Sequence, residues 1–308
     1  MNVLSLFDGM SCGQIALKNL GIQVDNYYAA EIDKYAITIA KKNHPGMVHL
    51  GDVRDLKASD LPQIDLILAG SPCQDLSLAG KGAGLDGEKS GLFYEFLRLL
   101  LECKPKYFLL ENVRMKKEYK DHISELLAVE PIEINSALVS AQNRNRLYWT
   151  NIPNVTQPED LGIKLRDIVE DGVLTDRDKS HCLDASYYKG GGANQLRTYI
   201  NKGKRQVVFN DGCHQVGIAD DINGHDIMKR IYSVEGKSPT LNAMTGGNRE
   251  PKVAVDELRW RKLTPLECER LQTVPDGYTE GVSNTQRYKM LGNGWTVKVI
   301  EHILQNIK

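Results

Sequence analysis

The sequence predicts an α/β protein built on a mostly parallel sheet, with a smaller irregular β-containing region set late in the chain. Three observations lead there. Short apolar runs alternate with amphipathic stretches through the first half. The junctions after those runs carry glycines, acids or a Pro-Cys pair. After about residue 165 the texture changes to one rich in Gly, Asn and Tyr. Strands alternating with helices call for a parallel sheet covered on both faces.

Val3 to Phe7 reads as the first strand and Gly13 to Leu20 as the first helix. Tyr27 to Ala30 and Lys34 to Lys42 repeat the pair, and Val48 to Leu50, Ile64 to Ala69 and Tyr107 to Leu110 continue the strands. Apolar spacing marks helices over Leu92 to Leu101 and Lys117 to Val129. From Asp171 to Pro251 only short β-like runs such as Gln206 to Phe209 stand out. Thr264-Pro265-Leu266-Glu267 then has the form of a capping box with proline in the first turn. A last helix is expected over Trp295 to Ile307. The expected division is a catalytic and cofactor-binding domain over 1–165 and 284–308, with a target-recognition domain over 166–283.

A chain of 308 residues can bury a sizeable core. Its formal net charge of −1 gives no overall field for a polyanion, so any nucleic-acid surface must be local. The 6 cysteines are scattered without CxxC spacing. That argues against a disulfide framework and a zinc site and points to a reducing compartment. The apolar start is only a strand long and no long apolar run follows, so neither signal peptide nor membrane span is expected. The expectation is a cytoplasmic protein, a monomer by default, with no metal.

Chemistry concentrates where strands end. Phe7-Asp8-Gly9-Met10-Ser11-Cys12-Gly13 follows the first strand and opens the first helix, where a ligand can approach the backbone. Glu31 closes the second strand, the place where doubly wound folds keep a ribose-binding carboxylate. Asp52 follows the third strand, suited to an adenine amino group. The order favours an adenosine-containing cofactor, while the spaced glycines of the dinucleotide fingerprint and the P-loop are missing. Two further junctions, Gly70-Ser71-Pro72-Cys73-Gln74-Asp75-Leu76-Ser77 and Glu111-Asn112-Val113, read as loops just past their strands. They would bring a thiol nucleophile and a carboxylic acid to one rim of the sheet.

These segments resemble the DNA cytosine-5 methyltransferases, whose signature stretches are matched by Leu6-Phe7-Asp8-Gly9, Gly70-Ser71-Pro72-Cys73, Glu111-Asn112-Val113, Gln142-Asn143-Arg144-Asn145-Arg146 and Gly292-Asn293-Gly294-Trp295. Arg261 to Pro275 is similar to the family's segment before the last of these, so only about residues 170–255 are uncovered. The Phe7-Asp8-Gly9 turn is most similar to the vertebrate de novo enzymes, and the compact length to bacterial or phage ones. Ser11 stands where the family often has a second glycine, as it does in the de novo type.

The resemblance implies a Rossmann-like fold of the S-adenosylmethionine-dependent methyltransferases, and a methyl transfer from S-adenosyl-L-methionine to C5 of a flipped-out cytosine in a specific sequence of double-stranded DNA. Cys73 is then the nucleophile at C6. Glu111 meets the N3 edge and donates a proton. Arg146 contacts the base carbonyl, Arg144 steadies cysteine and base, and Asn112 fixes the Pro-Cys loop. Cofactor contacts fall to Phe7, Asp8, Gly9, Cys12, Glu31, Ile32, Asp52, Val53, Asn293, Gly294 and Trp295, the last stacking near adenine.

The glycine-rich stretch from Ala79 to Gly91 is expected to close over substrate. Ser77, Lys81, Lys202, Lys204 and Arg205 are the expected DNA contacts. The last three sit in a basic, tyrosine-bearing run over 186–210 that contains no acid. Two alternatives remain open at this point: a tRNA cytosine-5 methyltransferase, and a catalytically inactive DNA-binding relative.

Overall fold

The computed structural model describes residues 1–71, 91–170, 174–175, 178–180, 182–183, 208–209, 215–218, 230–233, 252–254 and 263–307. The sheet comprises β1 (Asn2–Leu6), β2 (Asn26–Ala30), β3 (Val48–Gly51), β4 (Leu66–Gly70), β5 (Tyr107–Val113), β6 (Ile132–Asn135) and β7 (Asn145–Thr150), in the order β3-β2-β1-β4-β5-β7-β6. All pairings from β3 to β5 are parallel. Strand β7 lies antiparallel to both β5 and β6.

Period-two alternation divides each central strand between two cores. Val3, Leu66, Leu68 and Leu109 face one layer, with α1 (Cys12–Asn19), α2 (Lys34–Asn43) and three C-terminal helices. Leu4, Leu6, Ile67, Ala69 and Leu110 face the other, against α3 (Leu92–Cys103) and α4 (Lys117–Leu127). Fully burying each such valine, leucine or isoleucine is worth about 1.5–3 kcal/mol, so the two layers together hold the sheet. Trp149 of β7 is completely buried and gives its indole N–H to Ser124 Oγ of α4 (3.0 Å), which removes the cost of an unpaired donor.

The C-terminal helices are α5 (Pro265–Leu271), α6 (Asn284–Asn293) and α7 (Val297–Leu304). The capping box forms as expected: Thr264 Oγ1 accepts from Glu267 N (3.2 Å) and Glu267 Oε2 accepts from Thr264 N (2.8 Å). Leu263, Cys268, Leu271 and Tyr278 pack in the same cluster as Val3 and Leu291, on both sides of the expected 283/284 boundary. In the later region, β8 (Leu174–Thr175) pairs antiparallel with β9 (Val208–Phe209). β10 (Gln215–Ile218) and β12 (Lys252–Ala254) flank β11 (Arg230–Ser233), the first antiparallel and the second parallel. Among the described residues, no helix is long and apolar enough to cross a membrane.

Strands β6 and β7 are not in the sequence reading, and three further elements differ from it. Glu111-Asn112-Val113 belongs to β5 itself, because the polar end of that strand is paired through Val113 with Arg146 of β7. Helix α6 has no marked apolar face, and only Met290, Leu291 and Gly292 are buried, so periodicity does not reveal it. Trp295 precedes α7, whose first helical residue is Val297.

Candidate active site

Strand order reverses between β1 and β4, and the crevice beyond the carboxyl ends of strands at such a switch point is where open α/β sheets bind ligands. Here it is a cleft of about 870 Å³ that runs from Ile32 and Asp52 at one end to Glu111 and Arg146 at the other. Phe7, Gly70, Asn293 and Trp295 line it between them.

At the first end, the β1–α1 turn takes positive φ at Phe7 (58°), Gly9 (59°) and Ser11 (64°). Asp8 braces this turn. Its N–H donates to Ala30 O (3.0 Å), and its carboxylate accepts from Tyr27 Oη (2.8 Å) and from Ser11 Oγ. Burial pushes the Asp8 carboxyl up to about 6, an effect that these hydrogen bonds only partly offset. Cys12 is buried behind the turn, and burial pushes its thiol up to about 12.

Glu31 follows β2 directly. Its Oε2 accepts from Gly9 N (2.8 Å) and its Oε1 from Ile32 N and Asp33 N (2.8 Å each). A carboxylate offers about four lone-pair sites, so one remains on Oε2. Ile32 beside it is 70% exposed, a bare apolar side chain at the cleft. Val53 is buried and reaches both cleft and core. Asp52 is gripped by Arg54, whose Nε donates to Oδ1 (3.0 Å) and whose Nη2 approaches Oδ2 at 2.5 Å. Those hydrogen bonds from Arg54 hold the Asp52 carboxyl below its ordinary range. Lys289 of α6 bridges to Asp33 at the α2 N-terminus (2.6 Å) and closes one flank.

At the other end, parallel register sets Gly70 beside Glu111. The buried Glu111 carboxylate has a partner on each oxygen: Arg146 Nε lies 2.9 Å from Oε1, and Trp295 Nε1 donates to Oε2 at 3.1 Å. Burial alone would lower the Arg146 pKa; the charge of Glu111, with Cys182 and Tyr148, raises it instead. Asn112 donates to Ser71 Oγ (3.1 Å), one residue before the Pro-Cys dipeptide. Arg144 is 4% exposed and donates to the carbonyls of Leu183 (3.0 Å), Gly292 (3.3 Å) and Gly294 (2.9 Å).

The structure thus brings together Phe7, Asp8, Gly9, Cys12, Glu31, Ile32, Asp52, Val53, Glu111, Asn112, Arg144, Arg146, Asn293, Gly294 and Trp295 around one cleft. Cys73, Ser77, Lys81, Lys202, Lys204 and Arg205, and the Ala79–Gly91 loop apart from Gly91, lie outside the described residues. Sequence reasoning missed Tyr27, Arg54 and the Trp295–Glu111 contact. Only Arg54 had a local signal, the acid two positions before it.

A doubly wound sheet with one reversed strand, and a cleft of about 870 Å³ ending at a Glu–Arg ion pair, defines a Rossmann-like protein of the methyltransferase type. The family model for C-5 cytosine-specific DNA methylases matches residues 1–308, and the chain belongs to that family. It is 27% identical to the orphan methyltransferase M.SPBetaI of Bacillus phage SPbeta, covering 100% of this chain and 97% of that protein. It is 28% identical to the type II methyltransferase M.Bsp6I of Bacillus sp. strain RFL6, covering 100% and 98%. Among solved structures it is similar in fold to the Entamoeba histolytica methyltransferase EhMeth (TM-score 0.67, 15% identity, 99% and 97% covered). A Spodoptera frugiperda DNMT2 mutant is also similar (TM-score 0.62, 18% identity, 99% and 98% covered).

Proposed function

We propose that this protein transfers a methyl group from S-adenosyl-L-methionine to C5 of a cytosine flipped out of a specific duplex DNA sequence, through a covalent bond from Cys73 to C6. The observation that carries this reading is the ion pair between the buried Glu111 and the half-buried Arg146, with Glu111 in register with Gly70, three residues before Cys73. A carboxyl and a guanidinium at one rim match the N3 edge and the carbonyl of cytosine.

The cleft residues fit the methyl donor. Glu31 keeps a lone pair for a ribose hydroxyl, Ile32 offers an apolar face to adenine, and Asp52 suits the adenine amino group. At Gly9 nothing lies within 4 Å of where a Cβ would stand, which leaves the turn open to a ligand. When bound, the sulfonium supplies an electrophilic methyl group.

Cytosine C5 is a poor nucleophile, and the chain's own residues supply the remedy. The Cys73 thiolate adds to C6 with its electron pair, and the displaced C5–C6 π pair makes C5 nucleophilic. Glu111, in its protonated form, gives the proton that N3 takes up as the ring accepts electrons. Arg146 holds the base carbonyl, and Asn112, through Ser71, steadies the approach to the Pro-Cys loop. Once C5 carries the methyl group, water takes the C5 proton, the C5–H electron pair re-forms the C5–C6 double bond and expels the Cys73 thiolate, and N3 returns its proton to Glu111.

A duplex hides C5 and C6, so the target base must leave the stack. Residues 166–283 serve as the recognition domain in this reading, with Lys202, Lys204 and Arg205 on phosphates and Ser77 and Lys81 beside the target strand. The names of the phage and type II relatives favour a DNA-modification role. The test is transfer of labelled methyl to unmethylated duplex DNA, with base-resolution mapping. Label at C5 of cytosines within one short sequence is expected, and Cys73→Ser abolishes it while cofactor still binds. Label on tRNA alone, or robust transfer by Cys73→Ser, overturns the reading.

A further inference from the structure

Trp295 stands at the cofactor side of the cleft, yet its indole N–H is committed to Glu111 Oε2 at 3.1 Å. The backbone on either side of it is fixed. Gly294 O accepts from Arg144 (2.9 Å) and Gln272 (3.2 Å); Thr296 Oγ1 donates to Gln272 Oε1 (2.9 Å) and accepts from Ser136 Oγ (2.9 Å).

The ring is held as closely. A Cβ on Gly70 would stand 2.9 Å from Trp295 Nε1 and 3.2 Å from Cζ2, and one on Gly13 would stand 3.6 Å from Cζ3. The glycine at position 70 is what lets the indole lie against the end of β4 with its N–H aimed at the acid. Stacking on a ligand would need the ring face; it would not need this donor or this clearance at the nitrogen.

We infer that Trp295 is a positioning residue for Glu111, one that occupies Oε2 and so leaves Oε1 as the oxygen that exchanges the proton with the target base. The inference rests on the reading of Glu111 as the acid. Oε1 is held by Arg146, the residue proposed to contact the base carbonyl. A base entering between them meets Arg146 and Oε1 together, whereas Trp295 keeps its hold on Oε2. The indole therefore fixes the carboxyl plane through the whole reaction and cannot itself supply the proton, since it is a donor with no acceptor site and a very weak acid. Orientation fixed in advance lowers a barrier without tightening ground-state binding.

The experiment is a kinetic cycle in the full-length protein on duplex DNA with saturating methyl donor. Trp295→Phe keeps the aromatic packing and removes the N–H. It is expected to lower kcat about tenfold, the scale of one hydrogen bond to a charged group, with KM for DNA and cofactor affinity within about threefold. Gly70→Ala, which retains the indole but crowds its nitrogen, is expected to give the same kcat loss. Neither substitution lowers the activity of Glu111→Gln further, because the side chain through which they act is already altered.

Normal kcat in Trp295→Phe, or a loss confined to cofactor affinity, overturns the inference. So does a full additional tenfold loss in the Glu111→Gln background, which would mean that Trp295 acts elsewhere. If Glu111→Gln alone keeps wild-type kcat, the assignment of the acid itself falls, and Trp295 loses its role with it.

Discussion

Replacing Arg144 by methionine separates two roles that the site permits for this residue. Its guanidinium is buried and spans three backbone carbonyls, those of Leu183, Gly292 and Gly294. Methionine fills a similar volume and donates nothing. Gly294 O keeps the Gln272 amide (3.2 Å) and Leu183 O keeps the Cys182 thiol (3.3 Å), so Gly292 O suffers most. A buried acceptor left without its donor costs about 1–3 kcal/mol, and the two weakened carbonyls add a similar amount. Relief from burying a guanidinium offsets part of that. The net expectation is a loss of about 2 kcal/mol, equivalent to a fall in apparent Tm of about 3 °C for a chain of this size. Differential scanning fluorimetry and urea titration read it directly, and Arg144→Lys is expected to recover less than half, since an ammonium cannot span the carbonyls as a planar fork does. A variant with unchanged Tm and abolished methyl transfer would refute the reasoning. Arg144 would then act on the cysteine or the base and not as the tie between the β7 rim and the α6–α7 segment.

Two half-buried titratable groups are expected to mask each other in the pH dependence of stability. Asp8 is raised from 3.8 to about 6 by burial, so the folded state holds more protons in that window and stability falls as pH rises through it. His44 is lowered from 6.5 to about 4 by burial and by Lys18, so the unfolded state holds more protons there and stability rises with pH. Urea midpoints between pH 4.5 and 6.5 are expected to slope upward with pH in Asp8→Asn and downward in His44→Gln relative to wild type; parallel profiles for all three proteins would contradict both assignments. For DNA, Lys204→Ala with Arg205→Ala is expected to weaken duplex binding and reduce the slope of log K against log salt by about two, as loss of two phosphate contacts requires. An unchanged slope would remove this segment from the interface.

How far the sequence discloses this molecule follows from the range of the forces involved. The glycine turn, Glu31 and Asp52 are legible because each lies within two residues of a strand end, and strand ends are marked by local apolar runs. The capping box at Thr264 is legible for the same reason: both partners lie within one helical turn. Strand β7 is hidden by its opening, Asn145-Arg146, two polar residues ahead of its apolar run; Asn145 pairs with Asn135 of β6 and Arg146 lies opposite Val113 of β5. The role of Asp8 is also hidden. An acid in a cofactor turn reads as a ligand contact, while its brace, Tyr27, comes from the next strand. Trp295 and Glu111 are 184 positions apart, and nothing local to either marks the other.

The one reversed strand explains why the acid end of the cleft can be built at all. In a parallel sheet every strand delivers its C-terminal end to the functional rim, and the residues reaching that rim come from the loops that follow. Strand β7 runs the other way, so its first residues arrive there: Asn145 and Arg146, with Arg144 immediately before them. Register sets Arg146 opposite Val113, two residues beyond Glu111 on β5, so the Arg146 guanidinium reaches back to Oε1 within the sheet and not from a loop. A parallel strand in the same place would bring Trp149 and Thr150 to the rim, and the buried carboxylate would face an indole and a hydroxyl with no cation to balance it. Glu111 can be buried because the chain turns β7 around. The same reversal sets Arg144 where it can hold Gly292 and Gly294, which in turn position Trp295 against the other carboxylate oxygen. Both partners of the acid thus depend on the direction of a single strand.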